Sequence, residues 1–140
     1  MSDAARTGLL DTSTVVLLGR IDDRRVLPDD AYISAITLAE LSVGPLVANT
    51  ESERAARQAH LQQAESDFEV IPFDGAAARA FGRVASSLRR SGRKPAARAY
   101  DALIAACAIS SGMPLYTVNP ADFLGIEELT VHVVPHPDSP

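Results

Sequence analysis

Four carboxylates, set far apart along the chain, are the side chains whose type and surroundings could do chemistry. Asp11 closes the short apolar stretch at residues 7–10, and Glu40 sits between Ala39 and Leu41. Asp101 stands immediately before residues 102–109, which are apolar without a break, and Asp122 follows the strand-like residues 115–118 by one short turn. Burying an unpaired charge is strongly destabilising, so Asp101 either has a partner near a helix start or belongs to a site that wants negative charge. Two carboxylates about 4 Å apart repel by roughly 4 kcal/mol at an effective dielectric of about 20, so only protons or a cation make a cluster of them tolerable. An oxygen-only set with no histidine or cysteine beside it suits Mg²⁺, with Mn²⁺ as a substitute, better than zinc. Each acid also has a plainer reading. Asp11 can cap the first helix, Glu40 can be an exposed helical residue, and Asp101 can complement a helix dipole. Asn119, Pro120 and Asp122 read as a cap, a first-position proline and an early acid. His60, His132 and His136 are given no role, because a strand and a proline-rich tail do not bring the last two together.

The elements that must position these acids follow from the hydrophobic pattern. Strands are predicted over residues 7–10, 31–34, 68–73, 115–118 and 129–134, and helices from residue 14, over 35–48, 51–67, 75–90 and 97–112, and near 122–124. In the second helix Ile36, Ala39, Val43, Leu46 and Val47 form the expected inward stripe, with a kink or break at Gly44 and Pro45. The polar third helix offers only Ala55, Ala59, Leu61 and Ala64. The next turns Ala77, Ala80, Phe81, Val84 and Leu88 inward and sets Arg79, Arg83 and Arg90 on one lateral face. The last long helix has no solvent face and is expected to run through the middle of the fold. Alternating strands and helices call for an α/β protein, an α/β/α sandwich around a mostly parallel sheet of about five strands. In that topology all four acids fall at or just beyond the same strand edge, where open α/β sheets bind ligands.

Composition bounds the rest. A chain of 140 residues with 46% hydrophobic residues fits one compact domain spanning 1–140, with residues 1–6 and 135–140 expected to be flexible. The lone Cys107 lies in the apolar helix, and no disulfide is available within the chain. The first eight residues lack the pattern of a secretory signal, and no apolar run approaches the roughly 20 residues that span a bilayer. A soluble, cytoplasmic protein without membrane contact is the expectation. The formal charge of −5 argues against nucleic acid, but seven of the 13 basic residues (Arg79, Arg83, Arg89, Arg90, Arg93, Lys94 and Arg98) fall between Gly75 and Tyr100, where there is no acid. The remaining six face all 18 acidic residues. Such polarisation reads either as a solvated helix face or as a contact for phosphate or an acidic partner.

These residues carry a resemblance. LLDTSTVV around Asp11, ISAITLAEL around Glu40, AYDALIAACA around Asp101 and TVNPADF around Asp122 resemble the four signature blocks of PIN-domain ribonucleases, and most of all the VapC toxins of bacterial toxin–antitoxin pairs. The resemblance implies that Asp11, Glu40 and Asp101 are catalytic, metal-binding carboxylates and that Asp122 helps hold a metal. It sets Ser13, Thr117 and Asn119 as polar residues near the site. Val118 departs from the pattern, since many relatives carry an arginine or another polar residue there. The implied activity is Mg²⁺-dependent hydrolysis of RNA phosphodiester bonds by an endoribonuclease. The implied partners are an RNA substrate, a cognate VapB-type antitoxin and a second copy in a homodimer. Arg79, Arg83, Arg90, Arg93, Lys94 and Arg98 would then meet RNA or antitoxin. Two other readings stay open on the residues alone: a phosphoacceptor domain, although residues 130–140 hold no lysine, and a non-catalytic interaction domain of the same fold. A haloacid-type phosphatase wants a second aspartate where Ser13 stands.

Overall fold

The computed structural model describes residues 5–139. Five strands, β1 (Thr7–Leu10), β2 (Asp30–Ser34), β3 (Glu69–Ile71), β4 (Leu115–Thr117) and β5 (Val131–Val133), form one sheet in the order β3-β2-β1-β4-β5. Every pairing is parallel, with Leu9 opposite Tyr32 on one side and Leu115 on the other. Five α-helices accompany them: α1 (Thr12–Leu17), α2 (Ala35–Val43), α3 (Glu51–Asp67), α4 (Gly75–Arg90) and α5 (Ala99–Ser110).

The central strands are short and buried because both faces of the sheet are covered. Leu9 and Leu115 join α4 and α5 in one core, which takes in Ala77, Ala80, Val84, Leu88, Ile104 and Cys107. Leu10 and Tyr116 point the other way, into a second core with Val15, Leu41 and Ala64 from α1, α2 and α3. This is the period-2 alternation of a strand, and it divides the molecule into the expected three layers. The packing of β1 on β4 depends on Gly8, where a Cβ would run into the Tyr116 ring. Gly112, at φ +68°, ends α5 in the left-handed conformation, with Met113 N–H returning to the Ala108 carbonyl at 3.0 Å.

Several expectations are corrected. The second helix stops at Val43 and passes into a 3₁₀ turn, Gly44–Val47, as the glycine and proline require. Its inward residues are Thr37 and Leu41, whereas Ala39, Val43, Leu46 and Val47 of the expected inward stripe are exposed and Ile36 is half-buried. The helix is apolar on most sides, so periodicity could not choose its face. In α3 Ala64 is buried, but Ala55 and Ala59 face solvent. The central helix begins at Ala99, preceded by a 3₁₀ turn, Pro95–Arg98, and the helix expected near Asp122 is a 3₁₀ turn, Pro120–Phe123. Each end makes contacts with the body of the fold. Arg6 donates to the Arg25 and Leu27 carbonyls at 2.8 and 2.7 Å, and Asp138 pairs with Arg20. Residues 1–4 and 140, also expected to be flexible, lie outside the described residues.

Candidate active site

The four acids enter the site from four elements. Asp11 leaves β1 with extended backbone and caps α1, accepting the Thr14 N–H at 3.2 Å. Its Oδ2 also accepts from Ser13 Oγ at 2.9 Å and from Thr117 Oγ1 at 2.8 Å, and its Oδ1 from the Thr14 hydroxyl. The directions of two of these hydroxyls are set by the backbone. Thr14 Oγ1 receives the Val118 N–H at 3.1 Å and Thr117 Oγ1 receives the Asn119 N–H at 2.9 Å, so the hydroxyl protons are left for the carboxylate. Asp11 is therefore buried, at 3% exposure, with all four lone-pair positions engaged. Capping and site membership are not alternatives here, because the strand end that presents Asp11 is also the helix start.

Glu40 lies in the second turn of α2. Ser34 ends β2 and caps that helix through the Thr37 N–H at 3.1 Å. Thr37 Oγ1 lies 2.9 Å from Thr12 Oγ1, which donates to Glu40 Oε1 at 2.7 Å. A line of hydroxyls thus ties the start of α1 to Glu40.

Asp101, the third residue of α5, is partly buried, with 27% of its side chain exposed. Burial, then the charges of Asp122, Asp11 and Glu40, push its carboxyl up to about 6, against the opposing pull of Arg98. All four acids therefore share one electrostatic neighbourhood. Asp122 rides on the turn Pro120–Phe123, where Asn119 makes no side-chain cap. Its Oδ1 instead accepts from Arg98 Nη1 at 2.7 Å, and the same nitrogen stands 4.0 Å from Asp101 Oδ2.

The donor chemistry, carboxylates and hydroxyls only, fits a hard divalent cation. Among the described residues, no three His, Cys, Asp or Glu side chains are placed so that together they could hold a metal ion. Hydroxyl donors and Arg98 engage the acid oxygens instead. Beside Glu40 the surface opens into a groove of about 310 Å³ lined by Ile36, Ala39, Val43 and Tyr100.

The other expected contacts separate. Arg98 is at the carboxylates, and Arg93 and Lys94 lie on the connection leading to it, the Arg93 stem beside Gly125. Arg79, Arg83 and Arg90 line a different groove of about 410 Å³, which none of the four acids lines. There Arg83 pairs with Glu128 at 2.7 Å and Arg90 with Glu127 at 3.0 Å. Val118 is buried in the second core, so its side chain cannot meet a substrate. Sequence reasoning missed Thr12, Thr14 and Thr37. Their signal was present as hydroxyls clustered around the acids in DTST and SAIT.

The parallel sheet and its carboxylate edge define the class of protein first. The PIN domain model matches residues 9–124, and the chain belongs to the PIN domain family. Within that family it is similar to Ribonuclease VapC5 of Mycobacterium tuberculosis, with 39% identity over 129 residues covering 91% of this chain and 93% of the relative. It is also similar to Ribonuclease VapC1 of Rickettsia felis, with 32% identity over 133 residues covering 93% of this chain and 98% of the relative. Among solved structures it is similar to a member of the VapBC family of toxin-antitoxin systems, VapBC-5 from Mycobacterium tuberculosis. That match has a TM-score of 0.79 and 36% identity, covering 91% of this chain and 98% of the other.

Proposed function

We propose that this chain is a Mg²⁺-dependent endoribonuclease, the toxin component of a toxin–antitoxin pair. The observation that carries the reading is that Asp101 and Asp122 share the single cation Arg98, at 4.0 and 2.7 Å, with Asp11 and Glu40 near enough for their charges to act on Asp101. Such an arrangement costs stability unless the site works on a cation. Its relatives are named as VapC ribonucleases, and a similar solved structure is a VapBC toxin-antitoxin system.

Asp11, Glu40, Asp101 and Asp122 are the residues that would hold Mg²⁺, or Mn²⁺ in its place. When bound, the ion supplies the charge that acidifies a water and offsets negative charge on the phosphoryl oxygens. In the hydrolysis, water oxygen bonds to phosphorus, the bond to the leaving 3′ oxygen breaks, and a proton from water ends on that oxygen. No side-chain nucleophile is required. Ser13, Thr14 and Thr117 all direct their hydroxyl protons at Asp11. Cys107 is buried, its thiol pushed up to about 11 by burial first and Asp74 second. Ser13, Thr14 and Thr117 hold Asp11 in one orientation, while Thr12 orients Glu40.

The apolar surface beside the site fits a polypeptide partner. Val43, Leu46, Val47 and Tyr100 are all more than half exposed around or beyond the groove next to Glu40. A VapB-type antitoxin and a homodimer are the partners proposed for it, and the cytoplasm is the proposed location. Among the described residues no helix is long and apolar enough to cross a membrane.

The test is to sequence RNA ends after brief expression of wild type and of Asp101→Asn. New ends with wild type alone support the reading. Equal cleavage by the variant, or by purified wild type in excess EDTA, sinks it.

A further inference from the structure

We propose that Arg98 is a built-in counter-cation of the carboxylate cluster, which a divalent cation displaces from Asp122 and which then binds a phosphate of the nucleic-acid strand. The inference rests on the metal-dependent nuclease reading above. It adds an exchange between one of the chain's own side chains and the metal.

The position of Arg98 carries it. Arg98 is the last residue of the turn Pro95–Arg98, with non-helical backbone (φ −132°, ψ 44°) and no side-chain capping bond. Its side chain is 49% exposed, so no packing locks the guanidinium in place. It reaches Asp122 Oδ1 through Nη1 alone at 2.7 Å, and that nitrogen is 4.0 Å from Asp101 Oδ2. Among the described residues its other guanidinium nitrogens make no hydrogen bond, although the group carries five N–H donors in a planar fork suited to phosphate oxygens.

Electrostatics gives the direction of the exchange. Arg98 is the cation that opposes the repulsion felt by Asp101. A divalent ion at the same carboxylates supplies more charge at closer range and repels the guanidinium. A partly exposed, single-point ion pair is weak, so releasing it is cheap. Once released, Arg98 stays at the edge of the acid cluster, on the connection that also carries Arg93 and Lys94. Arg83 and Arg90 cannot substitute, because their partners are Glu127 and Glu128.

The experiment uses the full chain in wild-type, Arg98→Met, Lys94→Met and Asp101→Asn forms. Mn²⁺ binding without RNA is followed by calorimetry and by paramagnetic resonance of the free ion. Binding of a single-stranded oligonucleotide carrying uncleavable phosphate linkages is then titrated across salt concentrations. Arg98→Met should tighten Mn²⁺ binding about two- to fivefold, and Lys94→Met should leave it unchanged. The same Arg98→Met protein should bind the oligonucleotide more weakly, with a salt slope shallower by about 0.7, the value of one single-strand phosphate contact. Opposite signs on the two ligands are the signature of exchange. Unchanged or weaker Mn²⁺ binding in Arg98→Met overturns the exchange, and unchanged oligonucleotide binding overturns the second contact. If wild type binds no Mn²⁺ that Asp101→Asn abolishes, the metal reading itself has failed. If wild type binds Mn²⁺ and Asp101→Asn does not, a silent Arg98→Met overturns only the exchange.

Discussion

The two sides of the carboxylate edge are built differently. At Asp11 the carboxylate is buried, and three hydroxyls and an N–H engage it, two of those hydroxyls aimed by backbone groups. At Asp101 and Asp122 the side chains are 27% and 29% exposed, and a single flexible arginine answers both charges. One side is preorganised by hydrogen bonds, and a cation taken up by Asp11 would have to replace one of them. The other keeps a charge imbalance that a ligand can relieve. The proposed function has use for both, a fixed frame for geometry and an adjustable half for charge.

The comparison breaks most visibly at Asp101. Replacing it with Asn should lower RNA cleavage on the order of 10³-fold or more, measured on purified protein with Mg²⁺. Circular dichroism should show an unchanged fold, since a neutral side chain of the same shape remains.

The rigid side is sharpened by Thr117→Val, which removes a donor to Asp11 and an acceptor for the Asn119 N–H. Leaving the buried carboxylate and the half-buried Asn119 N–H short of a partner should destabilise the protein by about 1–3 kcal/mol in urea denaturation. Thr117→Ser, which keeps the hydroxyl, should recover most of the loss.

The adjustable side predicts a pH effect in EDTA. The Asp101 carboxyl is held at about 6 in the folded protein against 3.8 ordinarily, so the folded state binds the proton more tightly. Stability therefore falls as pH rises from about 4 to about 6, and levels off above that. At 1.36 kcal/mol per unit the loss is about 3 kcal/mol at most, and partial exposure brings it to about 1–2 kcal/mol. Urea midpoints at either end of that window should show the fall in wild type. In Asp101→Asn the fall should be smaller, and the variant should be the more stable protein above pH 6. A wild-type midpoint that does not move would remove the idea of stored repulsion.

The smallest effect is expected from Arg83→Met combined with Arg90→Met. These arginines are in exposed pairs with Glu128 and Glu127, so stability should change by less than about 1 kcal/mol. RNA affinity should fall less than in Arg98→Met. A larger fall would move the nucleic-acid path into the groove between α4 and Glu127–Glu128.

Much of this was legible in the amino-acid order. Short apolar runs separated by capping residues announced the five strands, and α4 was readable to its ends, spanning the expected residues 75–90. Asp11, Glu40, Asp101 and Asp122 stood out as charges next to apolar runs, and alternation of strand and helix placed them at one edge. The inward face of α2 was not legible, because a helix apolar on most sides buries whichever face its neighbours leave open. Nor was the role of the basic run. Arg79, Arg83, Arg90 and Arg98 look alike in sequence, yet the first three line one groove and Arg98 reaches Asp122.

What the sequence determined by itself was local: periodicity, capping, the kink at Gly44 and Pro45, and a candidate site made of carboxylates and hydroxyls without histidine or cysteine. Those depend on neighbours within a few residues. What only tertiary structure decided was partnership: Thr117 with Asp11 across 106 positions, Thr12 with Glu40 across 28, and Arg98 with Asp122 across 24. A hydrogen bond or ion pair depends on distance and direction in space, and those are set only when the sheet order brings β1 and β4 side by side and α5 up against their ends.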